Sequence, residues 1–200
     1  MRRRGGPAAA DDAAVIECSW REPERFAVLF DRHAPHIYRY LARRAGRQVA
    51  EDLVAETFLA AFAKRDRYDL GHADARPWLY GIATNLVGQH RRDEARQYRI
   101  RQAAAAEPEV PGHAERVAAD VTAQAMRALL AEALAALSAG DRDVLLLIAW
   151  EQLTYEEVSR ALAIPVGTVR SRLHRARTKV RGVLAGTDAG ATYEELMTNE

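Results

Sequence analysis

A chain of 200 residues with 48% hydrophobic but only 7% aromatic content can bury one or two cores, and its abundant alanine favours helices over sheets. Its formal net charge is +1; its single cysteine, Cys18, excludes an intramolecular disulfide and leaves no cysteine cluster for zinc. No apolar run approaches a membrane span and the Met-Arg-Arg-Arg start has no apolar stretch behind it, so a cytoplasmic protein without a signal peptide is expected.

Residues 1–20 read as a disordered N-terminus and residues 21–101 as a first helical domain. Residues 23–30 and 37–41 place aromatics and leucines at helical spacing around Pro35, which predicts two short helices or one sharply kinked one. Phe26, Leu29, Phe30, Tyr38 and Leu41 are the core candidates, while His33 and His36 read as surface residues. Gly46 ends this stretch. The next helix, Gln48 to about Arg65, turns Leu53, Val54, Phe58, Ala61 and Phe62 inward and Glu51, Asp52 and Glu56 outward. Like charges one turn apart repel, so this acidic ridge is either a solubilising face or a dock for a basic partner.

After the polar loop 66–74, a long helix is predicted from about Ala75, with Trp78, Leu79, Ile82, Ala83 and Leu86 on its apolar stripe. Its far end is basic, and Arg91, Arg92, Arg96, Arg99 and Arg101 can follow a phosphate backbone. Tyr68 and Asn85 stand apart, because a tyrosine in a polar loop can stack on an unpaired base and an asparagine can bond base edges as donor and acceptor. Each is also an ordinary residue of a surface or core. Residues 102–125 are alanine-rich, broken by Pro108 and Pro111, and read as a flexible linker.

A second domain is predicted over 126–185, followed by a polar tail, 186–200. Met126, Leu129, Leu130, Ala133, Leu134 and Leu137 form one amphipathic helix, Ser138 caps another, and the two make a bed for the last pair of helices. Thr154 with Glu157 is a capping box, so a helix starts at about Tyr155 and stops near Ala163 before Pro165. In the next helix Val166, Val169, Leu173, Ala176, Val180 and Val183 make one buried stripe. Ser171, Arg175 and Thr178 lie opposite it, with Thr168, Arg170, Arg172 and His174 on the flanks. From Ile164 to Ala185 there are six Arg or Lys residues and no acidic one. A helix-turn-helix whose second helix is charged this one-sidedly fits the major groove of DNA.

Three stretches in series resemble the extracytoplasmic-function group of the sigma-70 family: residues 50–62, residues 75–86, and residues 153–177 with Pro-Val-Gly-Thr-Val-Arg-Ser-Arg at 165–172. The resemblance implies an all-α protein with two small helical domains, regions 2 and 4, joined by a flexible linker. It implies a promoter-specificity subunit of RNA polymerase, with Asp52, Glu56 and Thr57 docking on the β′ clamp helices and the second domain meeting the β flap. It assigns Asn85 to a flipped minus-10 base, Tyr68 to the pocket wall, and Arg91 and Arg92 to nearby DNA. In the minus-35 reader, Arg170, Ser171, Arg175 and His174 face bases, Arg172, Arg177 and Lys179 hold the backbone, and Thr168 is a further DNA contact. Partners implied are core polymerase, promoter DNA and an anti-sigma protein. No Gly-rich phosphate loop, nucleophile motif or metal constellation is present, so neither an enzyme nor a cofactor or metal site is expected. The competing reading is a free-standing helix-turn-helix regulator, which explains residues 126–184 but leaves the first domain without a role.

Overall fold

The computed structural model describes residues 10–104 and 121–184, and these contain eight α-helices, two 3-10 turns and no strand. The first nine residues, the stretch 105–120 and the tail from 185 lie outside the described residues, as does the side chain of Met126. The chain divides into two compact units, the first made of residues 1–93 with 160–163 and the second of the remainder.

The first unit opens with α1 (Asp12–Cys18), inside the segment expected to be disordered. Seven residues are too few to hold a helix by local propensity. Here tertiary contacts supply the rest. Asp11 caps it, accepting from the Ala14 N–H at 2.8 Å, and Ile16 is fully buried. The Asp12 carboxylate then accepts from Arg32 (3.0 Å) and the Ala75 N–H (3.0 Å) and is bonded to His33 Nε2 (2.8 Å), joining three segments at one point. Burial opposes this charge, yet the hydrogen bonds from His33, Ala75 and Arg32 and the charge of His33 outweigh it and hold the Asp12 pKa at about 2. His33 is therefore a buried partner and not the surface residue expected.

A 3-10 turn (Pro23–Phe26) leads into α2 (Ala27–Ala45), one helix that runs through Pro35 in place of two short ones. Leu29, Ile37, Tyr40 and Leu41 form its buried side, whereas Phe30 is 43% exposed and Tyr38 is half-buried. Gly46, at φ 85°, turns the chain where a side chain would be strained, and α3 (Arg47–Ala63) packs back along α2. Beyond a 3-10 turn (Arg65–Arg67) comes α4 (Arg76–Ala104), which runs into the segment read as linker. It is tied to α2 by the Tyr40–Tyr80 edge contact (5.3 Å) and by a buried chain in which Arg44 donates to the Tyr40 hydroxyl (2.6 Å), itself bonded to Thr84 Oγ1 (2.7 Å).

In the second unit α5 (Val121–Ala135) and α6 (Ala139–Ala149) pack on α8 (Val166–Leu184). Ala133, Leu137, Ala176, Val180 and Leu184 form one buried cluster, while Leu130, expected in it, is 40% exposed. Arg142 caps the end of α5 by donating to the carbonyls of Leu134, Ala135 and Leu137. The remaining helix, α7 (Tyr155–Leu162), precedes α8.

Candidate nucleic-acid interface

The turn that presents α8 follows from its sequence. Thr154 and Glu157 form the capping box: the Glu157 N–H donates to Thr154 Oγ1 (3.2 Å) and the Thr154 N–H to Glu157 Oε2 (2.7 Å). The chain leaves α7 through Ala163 at φ 51°, and Ser159 Oγ donates to the Ile164 carbonyl (2.6 Å), closing the turn. Pro165 stands just before α8, its carbonyl accepting from the Thr168 and Val169 N–H groups. Val169, Leu173, Ala176 and Val180 are buried as the stripe requires, with Val166 and Val183 half-buried.

The opposite face is thereby turned to solvent. Arg170, Ser171, His174, Arg175, Thr178 and Lys179 are exposed, and Thr168, Arg172 and Arg177 are partly so. Five cations within ten residues and no carboxylate of α8 itself make an anion-seeking surface, and the helix dipole adds to that field near its first turn. One carboxylate reaches the face from outside. Asp141, in the first turn of α6, binds Arg175 at 2.9 Å, and Arg172 lies over Gly140, where an added Cβ would meet its Nη1 at 2.7 Å. Nothing in the local pattern marks Asp141, because its partner is 34 residues away.

The residues assigned to the minus-10 element differ in how far they are free to meet DNA. Asn85 is exposed on α4, seven residues and so about two helical turns beyond Trp78 on the same side of the helix. Trp78 is half-buried, and its ring lies 5.0 Å from that of Tyr68 at a tilt of 56°. Tyr68 itself is buried and donates to the His72 carbonyl at 2.6 Å. Burial, with the Asp12 and Asp74 carboxylates nearby, pushes its phenol above the ordinary range, so it is a neutral donor. The free stacking platform expected of Tyr68 is thus corrected: its side chain is buried, with the ring tilted against that of Trp78. Arg91 is also corrected in part, since it donates to the Arg44 carbonyl at the end of α2, whereas Arg92 is exposed.

On α3, Glu51, Asp52 and Glu56 are exposed as the ridge requires. Thr57 is not. It is fully buried, its hydroxyl donating to the Leu53 carbonyl at 2.6 Å, so it supports the ridge from beneath. The pattern missed two exposed apolar neighbours: Leu59, 69% exposed, shares the Asp52–Glu56 side of the helix, and Phe30 edges Phe58 at 4.9 Å. Together with Phe26, Ala55, Phe58 and Phe62 they line a shallow apolar groove. An i, i+4, i+7 series that ended on leucine was the available signal. Among the described residues no cluster of three metal-ligating side chains occurs, and no helix is long and apolar enough to cross a membrane.

Comparison with known proteins gives two family matches in series, sigma-70 region 2 over residues 29–97 and sigma-70 region 4 over residues 127–180. The chain is 36% identical over 190 residues to the ECF RNA polymerase sigma factor SigE of Mycolicibacterium smegmatis, covering 89% of this chain and 65% of that protein. It is 32% identical over 182 residues to the ECF RNA polymerase sigma factor SigL of Mycobacterium tuberculosis, covering 90% and 94%. Among solved structures, it is similar to the sigma factor RpoE of Bartonella quintana in complex with the anti-sigma factor NepR, with a TM-score of 0.58 and 25% identity over 80% of this chain and 96% of that one.

Proposed function

This chain belongs to the extracytoplasmic-function group of the sigma-70 family, and we propose that it carries core RNA polymerase to its promoters, with α8 reading the minus-35 element and α4 the minus-10 element. The observation that carries this reading is the outward face of α8, where Arg170, Ser171, His174 and Arg175 are exposed directly behind a buried apolar stripe. With the stripe held on α5 and α6, that face can enter a major groove. A bidentate arginine–guanine pair there contributes roughly 1–3 kcal/mol of discrimination. Thr168, Arg172, Arg177 and Lys179 serve the phosphates, which makes binding strongly salt-dependent.

At the minus-10 element Asn85 and Arg92 offer exposed polar contacts, while Trp78 and Tyr68 together support the surface beside them. Melting is then capture of an unstacked base, whose extrusion costs a few kcal/mol that stacking and hydrogen bonds offset. No bond is made or broken, so the role is that of a binding subunit without a cofactor.

Asp52 and Glu56 dock on the β′ clamp helices, with Leu59 adding apolar contact, and the second unit meets the β flap. A free-standing regulator would leave this acidic and apolar face unused. An anti-sigma protein is a natural further partner, because the similar Bartonella sigma factor is found in complex with one. A subunit that acts on chromosomal promoters works in the cytoplasm.

The test is a pull-down of core RNA polymerase by the purified full chain, followed by run-off transcription from genomic fragments. Wild-type chain is expected to be retained and to give promoter-specific transcripts, and Asp52→Arg/Glu56→Arg, folded by circular dichroism, is expected to lose at least tenfold in retention. A well-folded wild-type chain that core polymerase does not retain would sink the reading.

A further inference from the structure

One side chain on the DNA-facing side of α8 is aimed from another helix. Arg175 donates from Nη2 to Asp141 Oδ1 at 2.9 Å and from Nε to Oδ2 at 3.4 Å, so the carboxylate grips the guanidinium along one edge. The Asp141 side chain is 14% exposed against 57% for Arg175, which places the acid behind the arginine and not in front of it. The turn carrying Asp141 is itself held, because its N–H donates to the capping Ser138 Oγ at 3.2 Å. Arg172 closes over Gly140 next to it, at a distance only a missing Cβ allows.

A guanidinium has five N–H donors in a planar fork. Asp141 takes the Nε–Nη2 edge. The terminal edge, formed by Nη1 and the other Nη2 proton, points away from the acid, and that edge is suited to bond guanine O6 and N7 together. We infer that Asp141 is a positioning residue, holding Arg175 in one rotamer with its terminal edge presented to the groove, so that specificity at one base pair depends on a side chain of α6. The long arginine then loses its rotamer freedom on folding and not on binding DNA. The carboxylate also repels phosphate, which weakens binding to every sequence while sharpening the choice among them.

This inference rests on the reading of Arg175 as a base contact, and the test separates the two. Holoenzyme reconstituted from core polymerase and the full chain is offered a pool of promoter duplexes randomised across the upstream element, and preference is scored base pair by base pair. Arg175→Ala is expected to lose roughly tenfold discrimination at one base pair. Asp141→Asn is expected to lose about threefold at that same base pair, to bind scrambled duplex as well as wild type or better, and to add nothing to Arg175→Ala in the double variant. A merely structural role for Asp141 would lower all base-pair preferences and scrambled binding alike, and that result overturns the inference. So does an Asp141→Asn chain whose discrimination is unchanged or sharper while Arg175→Ala loses its own. Should Arg175→Ala keep every preference, the base-contact reading falls and the inference with it.

Discussion

The two units solve the burial of polar groups in opposite ways. The first buries Asp12, Ser19, His33, Arg44, Thr57 and Thr84 among large aromatics such as Tyr40 and Tyr80, whereas among the described residues of the second only Glu151 is a buried polar side chain. A buried polar group without a partner is costly, so the bonds that satisfy these groups favour the observed helix arrangement over others. The second relies on Ala133, Ala176 and Val180, small side chains that let α5 and α8 approach closely, and keeps its cations outside. Because the charged side chains of α8 stay at the surface, its packing rests mainly on the apolar stripe beneath them.

The sharpest way to break this contrast is at Tyr40. Tyr40→Ala empties a fully buried site and removes the hydroxyl shared by Arg44 and Thr84, so a loss of about 3–5 kcal/mol is expected. Amide hydrogen exchange should show that loss across residues 27–92, and a loss below about 1 kcal/mol would mean the polar chain specifies nothing. Next is Asp12→Asn. With the folded pKa at about 2 and the ordinary value at 3.8, the charge contributes roughly 2 kcal/mol. A lowered carboxylate pKa means that this contribution is fully present above the unfolded value and disappears as pH falls through the folded one. Denaturant melts of wild type and Asp12→Asn should therefore differ at neutral pH and converge between about pH 4 and pH 2; parallel curves would show that the Asp12 charge does not stabilise the first unit. Smallest is Ser138→Ala in the second unit, where a lost N-cap should cost about 1 kcal/mol and leave the first unit's exchange unchanged.

Much of the candidate site was legible because it is local. The Thr154–Glu157 box spans three residues, the α8 stripe repeats every three or four, and the acidic ridge of α3 is one helix face. What escaped was the competition among residues of one type. Pattern alone could not tell which aromatics near Pro35 would be covered, and Phe30 stayed out while Tyr40 went in. Nor could it tell that Tyr68 would pack its ring on Trp78, or that Thr57 would turn its hydroxyl to Leu53.

By itself, then, the amino-acid order determined most of the helices, the helix-turn-helix and the sign of charge on each outward face, because helical period and capping act over a single turn. Only the tertiary structure decided that α1 is a helix, that Asp12 joins α1, α2 and the start of α4, and that Asp141 grips Arg175. Those bonds join residues 20 to 63 positions apart, and their stability comes from water excluded around both partners at once, which no single stretch of chain can provide.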